Sequence, residues 1–261
     1  MRMTPEVLRG PLHDLVAGDD RPVAVFSALW PLARATRRPV ETLCDEVCRV
    51  LLDLGESRTL LMPAFAGGFN DGVCNLDEAP SQTGALTEHF RLRPGVRRSV
   101  CAFFSFAVTG PDAEEVVSLR PAQAWGTGSL YEWMYDRDVH IVTVGLHPTH
   151  CSYTHYAEWL ARERIPYRYE KTFSGEVVHE GRRFPLEQTL LVRNLDPPAH
   201  NDFTWLLDTY LENGMRTSVI DGVTLSDIGA RAKIDAILQC LERDPLALLE
   251  NRRDFEPSCH E

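Results

Sequence analysis

The stretch Cys151-Ser152-Tyr153-Thr154-His155-Tyr156-Ala157-Glu158 combines residue types that can move a proton. His155 and Glu158 are three apart, so on a helix they share a face and the carboxylate can hold one imidazole tautomer. A neutral imidazole held that way is a general base. An isolated H-x-x-E is as a rule a solvated surface pair, so the surroundings must decide. The same region offers His147, His150 and Cys151 as metal-ligand types. However, Pro148 stiffens the segment and no second ligand cluster stands at zinc-site spacing, so no metal is expected.

The elements around the pair are those of an α/β protein. Val139 to Gly145 is rich in β-branched residues and reads as a buried strand, and Ala157, Leu160 and Ala161 begin a helical pattern. The pair therefore sits at a strand-to-helix turn. Earlier in the chain, Pro22 to Leu29 reads as a first buried strand. Val40, Leu43, Val47, Leu51 and Leu54 form the apolar stripe of a helix closed by Gly55, and Thr59 to Met62 is the next strand. Cys44 and Cys48 fall on that stripe as core residues. Ala64 to Pro80, with its glycines, Asn70, Asp71, Asn75 and Asp77, is a long loop of the kind that often carries function. A helix over Ser81 to Arg91 capped by Ser81, and a core strand over Val100 to Val108, follow. Trp125 to Leu130 is a glycine-bracketed turn into a short helix. Pro166 to Phe173 and Leu190 to Val192 are expected as strands with tight turns at Gly175 and Gly181, and Asp202 to Leu211 and Ser226 to Leu241 as helices.

Bulk properties narrow the function. The 261 residues, 44% hydrophobic and 25% charged, suit one globular domain over 1–261. A formal charge of −11 disfavours nucleic acid and anionic membranes as partners and suits a cationic small molecule. Seven cysteines without framework spacing fit a reducing compartment, and no apolar leader or membrane-length stretch appears, so a cytoplasmic protein is expected.

Several blocks, in order, resemble the aminoglycoside 3-N-acetyltransferases, also called antibiotic N-acetyltransferases. Ala79-Pro80-Ser81 through Gly84, Leu86, Glu88, Phe90 and Arg91 is similar to their T-P-S-x-x-G-x-L-x-E-x-F-R pattern. Pro94-Gly95, Arg98-Ser99, Ser105 and Ala107 resemble P-G-x-x-R-S-x-H-P-x-x-S-x-A. Ser152 to Glu158 resembles T-x-x-H-x-A-E, and Pro166-Tyr167-Arg168 the P-Y-R segment. Thr59 to Phe65 looks like G-T-L-x-M-P-T-F, and Trp125 to Ser129 like the G-x-G-S-P turn. The resemblance spans roughly residues 22 to 250. It implies a three-layer α/β/α fold with a mixed central sheet, distinct from the common GNAT acetyltransferases. It also implies acyl transfer from acetyl-CoA or another acyl-CoA to an amino group of an aminoglycoside, an amino sugar or another amine-bearing natural product. His155 would be the general base and Glu158 its orienting partner, while Ser27, Leu29, Ser81, Gly84 and Ser105 would meet the donor.

Departures from the pattern raise alternatives. The family's His-Pro is Cys101-Ala102 here, and its first-strand H-S-S-L is Phe26-Ser27-Ala28-Leu29. Cys101 reads as a small buried thiol in a strand, or as a nucleophile taking an acyl group from an acyl-carrier protein or a thioester metabolite. A ligand-binding relative without turnover is the third reading. Asp71, Asp77 and Glu78 in the long loop are expected as an acceptor-facing acidic rim, against a solvated loop as the plain alternative.

Overall fold

The computed structural model describes residues 3–55 and 57–255. Helix α1 (Arg9–Leu15) leads to strand β1 (Val23–Ser27), helices α2 (Leu29–Thr36) and α3 (Val40–Leu54), and strand β2 (Leu60–Pro63). Then come β3 (Val73–Asn75), α4 (Ala85–Arg91), β4 (Arg97–Arg98), β5 (Phe106–Thr109), α5 (Ala113–Ser118), α6 (Leu130–Asp136), β6 (His140–Val144) and α7 (Thr154–Leu160). The chain continues through β7 (Arg168–His179), β8 (Arg182–Arg193), α8 (Leu206–Glu212), β9 (Arg216–Ile220), β10 (Val223–Gly229) and α9 (Ala230–Arg243).

Seven strands form one mixed sheet in the order β4-β5-β2-β1-β6-β10-β9. The central strand β1 runs parallel to β2 and β6, and the outer pairs are antiparallel. Alternation along the strands builds the layers. Val23 and Val25 pack with α1 to α4 on one face, whereas Ala24 and Phe26 pack with α5 to α9 on the other. This is the three-layer α/β/α arrangement. On α3, Leu43, Val47, Leu51 and Leu54 are buried, each stabilising the fold by about 1.5–3 kcal/mol. Cys44 and Cys48 lie in the same core, while Val40 is half exposed. Among the described residues, no helix is long and apolar enough to cross a membrane.

A second sheet, β3-β7-β8, is dominated by a hairpin of two twelve-residue strands. Gly175 lies inside β7 rather than at a turn. A Cβ there would collide with the Phe69 ring and meet the Gly72 carbonyl at 2.8 Å, so glycine lets the long loop lie against the hairpin. The turn itself is Glu180-Gly181, both at positive φ.

Three further expectations are corrected. Ser226 to Ile228 are strand residues of β10, and the last helix starts at Ala230. A hairpin through Asp221-Gly222, again both at positive φ, makes β9 and β10 a pair and fixes their register on β6. Between β4 and β5, residues 99–105 form a connection rather than a continuous strand, and Cys101 lies in it. Helix α4 starts at Ala85, with Gly84 as its N-cap at φ 116° and ψ 170°, a conformation essentially reserved for glycine.

Candidate functional site

The parallel strands β2, β1 and β6 all point their carboxyl ends to one edge of the sheet, where ligands of open α/β sheets are held. The exit of β1 carries Ser27 and Leu29. The exit of β6 leads through a loop into α7, whose second residue is His155.

One helical turn brings Glu158 under the imidazole, and Nδ1 of His155 donates to its Oε2 at 2.6 Å. Glu158 is fully buried, and three groups hold its carboxylate. Nε of Arg168, at the start of β7, lies 3.0 Å from Oε1 as an ion pair whose angle is not that of a hydrogen bond. Asn201 donates to the same oxygen from Nδ2 at 3.0 Å and accepts from Nη2 of Arg168 at 3.0 Å. The Leu191 and Leu248 carbonyls anchor Arg168 and Asn201 in turn. Burial alone would raise the Glu158 carboxyl, but the charges and hydrogen bonds of Arg168 and His155 outweigh it and hold the group down at about 2.

An ionised Glu158 only accepts hydrogen bonds, so the network assigns the proton to Nδ1 and leaves a lone pair on Nε2. Among the described residues Nε2 has no partner, and the ring lines a cavity of about 580 Å³. Trp125 and Phe203 flank it, with ring centroids 5.7 and 5.9 Å from the imidazole. Ser129 accepts from the Glu132 amide as the N-cap of α6, and Glu132 accepts from the amide of Gly128 before it, which starts the helix beside Trp125.

The remaining residues singled out from the sequence separate. Ser27 and Leu29 sit half-buried at the β1 exit, level with Val144 on one side. Ser105 is fully buried. It donates to the Ala64 carbonyl at 2.8 Å and accepts from Arg98 at 3.0 Å, so its hydroxyl serves the fold rather than a donor molecule. Arg98 also gathers the Leu76, Ala79 and Ala64 carbonyls, which organises the long loop. The Ser81 amide donates to Glu88 at 2.6 Å and its hydroxyl meets that of Thr83, so neither is the helix cap expected of it.

Cys101 is buried and accepts from the Phe104 amide at 3.3 Å, and burial pushes its thiol up, opposite to what a nucleophilic thiolate needs. It packs with Ala124 and Leu190 and is not among the residues lining the cavity in front of His155.

The acidic rim is the largest correction. Asp77 accepts from the Glu180 and Gly181 amides at 2.7 and 2.9 Å, capping the far turn of the hairpin. Arg168 pairs with Arg193 at the other end, and a twelve-residue strand spans roughly 35 Å, so Asp77 is remote from His155. Glu78 accepts from Asn75 in the same turn. Asp71 is exposed beside Gly72, which rests against Gly175 midway along β7. No group of three His, Cys, Asp or Glu side chains is placed to hold a metal among the described residues.

Arg168 and Asn201 were not singled out as site residues. Arg168 was visible only as part of Pro166-Tyr167-Arg168, and nothing near Asn201 in the sequence marks it.

A family model described as aminoglycoside 3-N-acetyltransferase matches residues 37–242. No curated protein sequence matches the chain. Among solved structures, AAC-IIIb in a binary complex with CoASH superposes with a TM-score of 0.76 at 19% identity, covering 93% of this chain and 97% of that one. AAC-VIa bound to sisomicin gives 0.73 at 21%, covering 93% and 98%. The YokD protein from Bacillus subtilis gives 0.70 at 17%, covering 93% and 100%. At these identities the likeness shows the fold.

Proposed function

Because the chain belongs to the aminoglycoside 3-N-acetyltransferase family and is an N-acetyltransferase, we propose that it transfers an acetyl or other acyl group from acyl-CoA to a small-molecule amine, with His155 as base. The observation that carries this reading is the imidazole fixed by Glu158 with Nε2 open to a cavity. An amine in water is an ammonium ion and has no lone pair. Nε2 takes its proton, and the freed nitrogen attacks the thioester carbonyl. As the carbon–sulfur bond breaks, the second proton shed by the nitrogen passes to the departing sulfur, so CoA leaves as the thiol and His155 returns its own proton to solvent. Glu158 offsets the positive charge that His155 then carries, while Arg168 and Asn201 keep the carboxylate in place.

Ser27 and Leu29, at the carboxyl edge, are our choice for the donor's pantetheine arm. A cavity of about 470 Å³ next to them is lined by Trp30, which is 72% exposed, by Arg34 and by one carboxylate, Asp221. A ring for stacking and a cation for phosphate suit a nucleotide diphosphate. Related solved structures hold CoASH and sisomicin, which supports CoA as co-substrate and an amine as acceptor. No observation favours acylation of Cys101 or a carrier-protein donor.

The test is CoA release from acetyl-CoA over a panel of amines. His155→Ala is expected to lower the rate by about 10²–10⁴-fold. Retention of the rate within a few-fold would overturn the assignment.

A further inference from the structure

The cavity in front of His155 offers little counter-charge to a polycation. Its wall carries one carboxylate, Glu250, and two guanidinium groups, of which that of Arg168 is neutralised by Glu158 and that of Arg193 is not, among the described residues. Glu158 adds nothing to the wall, because it is fully buried and already spent on Arg168, His155 and Asn201. The acidic loop residue Asp77 lies at the opposite end of the hairpin. An acceptor with several ammonium groups would have to desolvate them with a single wall carboxylate, Glu250, to meet them, which is costly.

The two arginines sit directly opposite each other on β7 and β8, so their side chains leave the same face and repel. Arg168 is neutralised by Glu158. Arg193 has no carboxylate partner among the described residues and faces the cavity. Apolar surface completes the wall. The Phe104 and Trp125 rings lie 4.6 Å apart, and the run continues through His155 to Phe203. Leu190 and Val192 line the same space.

We infer that the acceptor is a compact amine with an aromatic or apolar body, one amino group directed at Nε2 of His155, and an anionic group, such as a carboxylate, that pairs with Arg193. The inference rests on the acyl-transfer reading above but concerns which amine that site takes. It makes polycationic aminoglycosides the weaker acceptors, because one wall carboxylate does not match several ammonium groups.

Binding is measured before turnover, by titration calorimetry on the full chain with CoA present to fill the donor site. The probes are 3-(aminomethyl)benzoate, benzylamine and kanamycin. The carboxylate probe is expected to bind about tenfold or more tightly than benzylamine, the worth of a charge-assisted hydrogen bond, with kanamycin the weakest. Arg193→Glu should reverse that order, weakening the carboxylate probe and strengthening the two cations. Kanamycin binding more tightly than the carboxylate probe, no binding by the carboxylate probe, or an order unchanged in Arg193→Glu would each overturn the inference. CoA release with the same probes then tests the underlying reading separately. If 3-(aminomethyl)benzoate binds through Arg193 but is never acetylated, acyl transfer fails while the charge preference stands. If kanamycin binds best and is acetylated, the reverse holds.

Discussion

Two histidines in this molecule stand against buried carboxylates, and their difference sets apart the one proposed as the base. His155 gives Nδ1 to Glu158 and keeps Nε2 free on a cavity, with a quarter of its side chain exposed. His140, on β6, is 1% exposed and spends both nitrogens: Nδ1 lies 3.0 Å from Asp227 and Nε2 3.1 Å from Asp19. Arg216 and Arg21 hold those carboxylates in turn, at 2.9 Å each. The second arrangement ties the segment before β1 to strands β6 and β10 and has no nitrogen left for a substrate. A neighbouring carboxylate is common to both sites, so it is the open face beside space that distinguishes the proposed base.

The sharpest way to break this comparison is to remove each ring. His155→Ala should cost about 10²–10⁴-fold in CoA release per folded molecule, and about 1–3 kcal/mol in urea because it leaves Oε2 of the buried Glu158 without its partner. Glu158→Gln comes next. It strips the buried Arg168 of its counter-charge and should destabilise the fold by about 3–5 kcal/mol in urea, with a large loss of turnover. The same carboxylate sets a pH dependence. Its folded pKa, about 2, lies below the unfolded value, so its stabilisation is complete above about pH 5 and is lost as pH falls from there towards 2. Acid unfolding followed by circular dichroism should show a flatter loss across that window in Glu158→Gln than in the parent.

His140→Gln is the counterpart. It should lower stability by about 1–3 kcal/mol, by leaving the buried Asp227 short of a partner, while the turnover of the folded fraction stays within twofold. A loss of turnover comparable to that of His155→Ala would erase the distinction drawn between the two histidines. The smallest effect is expected for Cys101→Ala. The thiol is buried and points into packing, so the change should cost about 1 kcal/mol of stability and leave acyl transfer intact, measured by denaturation and CoA release.

Legibility followed the range of the interactions involved. The helix α3 and the strands β1, β2 and β6 were readable because their burial repeats every three to four residues or runs unbroken. The hairpin β9–β10 was missed although Asp221-Gly222 is a strong turn signal, because Ile228, one residue from the end of β10, fits the apolar spacing of the helix that follows. Gly175 was misread as a turn because a glycine admitted for close packing looks, in one dimension, like one admitted for positive φ. Ser105 and Ser81 matched the donor-facing positions of a family pattern, but a sequence does not show that a hydroxyl or an amide is already spent on Ala64, Arg98 or Glu88.

What the sequence by itself determined was the pairing of His155 with Glu158 and the family pattern around it, because a three-residue spacing on a helix is geometry the backbone dictates locally. Only the tertiary structure decided what that pair faces. Arg168 arrives from a strand and Asn201 from a loop beyond it, and both converge on Glu158 through packing that no local spacing encodes. The long hairpin carries Asp77 away from the base and sets Arg193 beside it, so the charge that meets a substrate was settled by where two strands end.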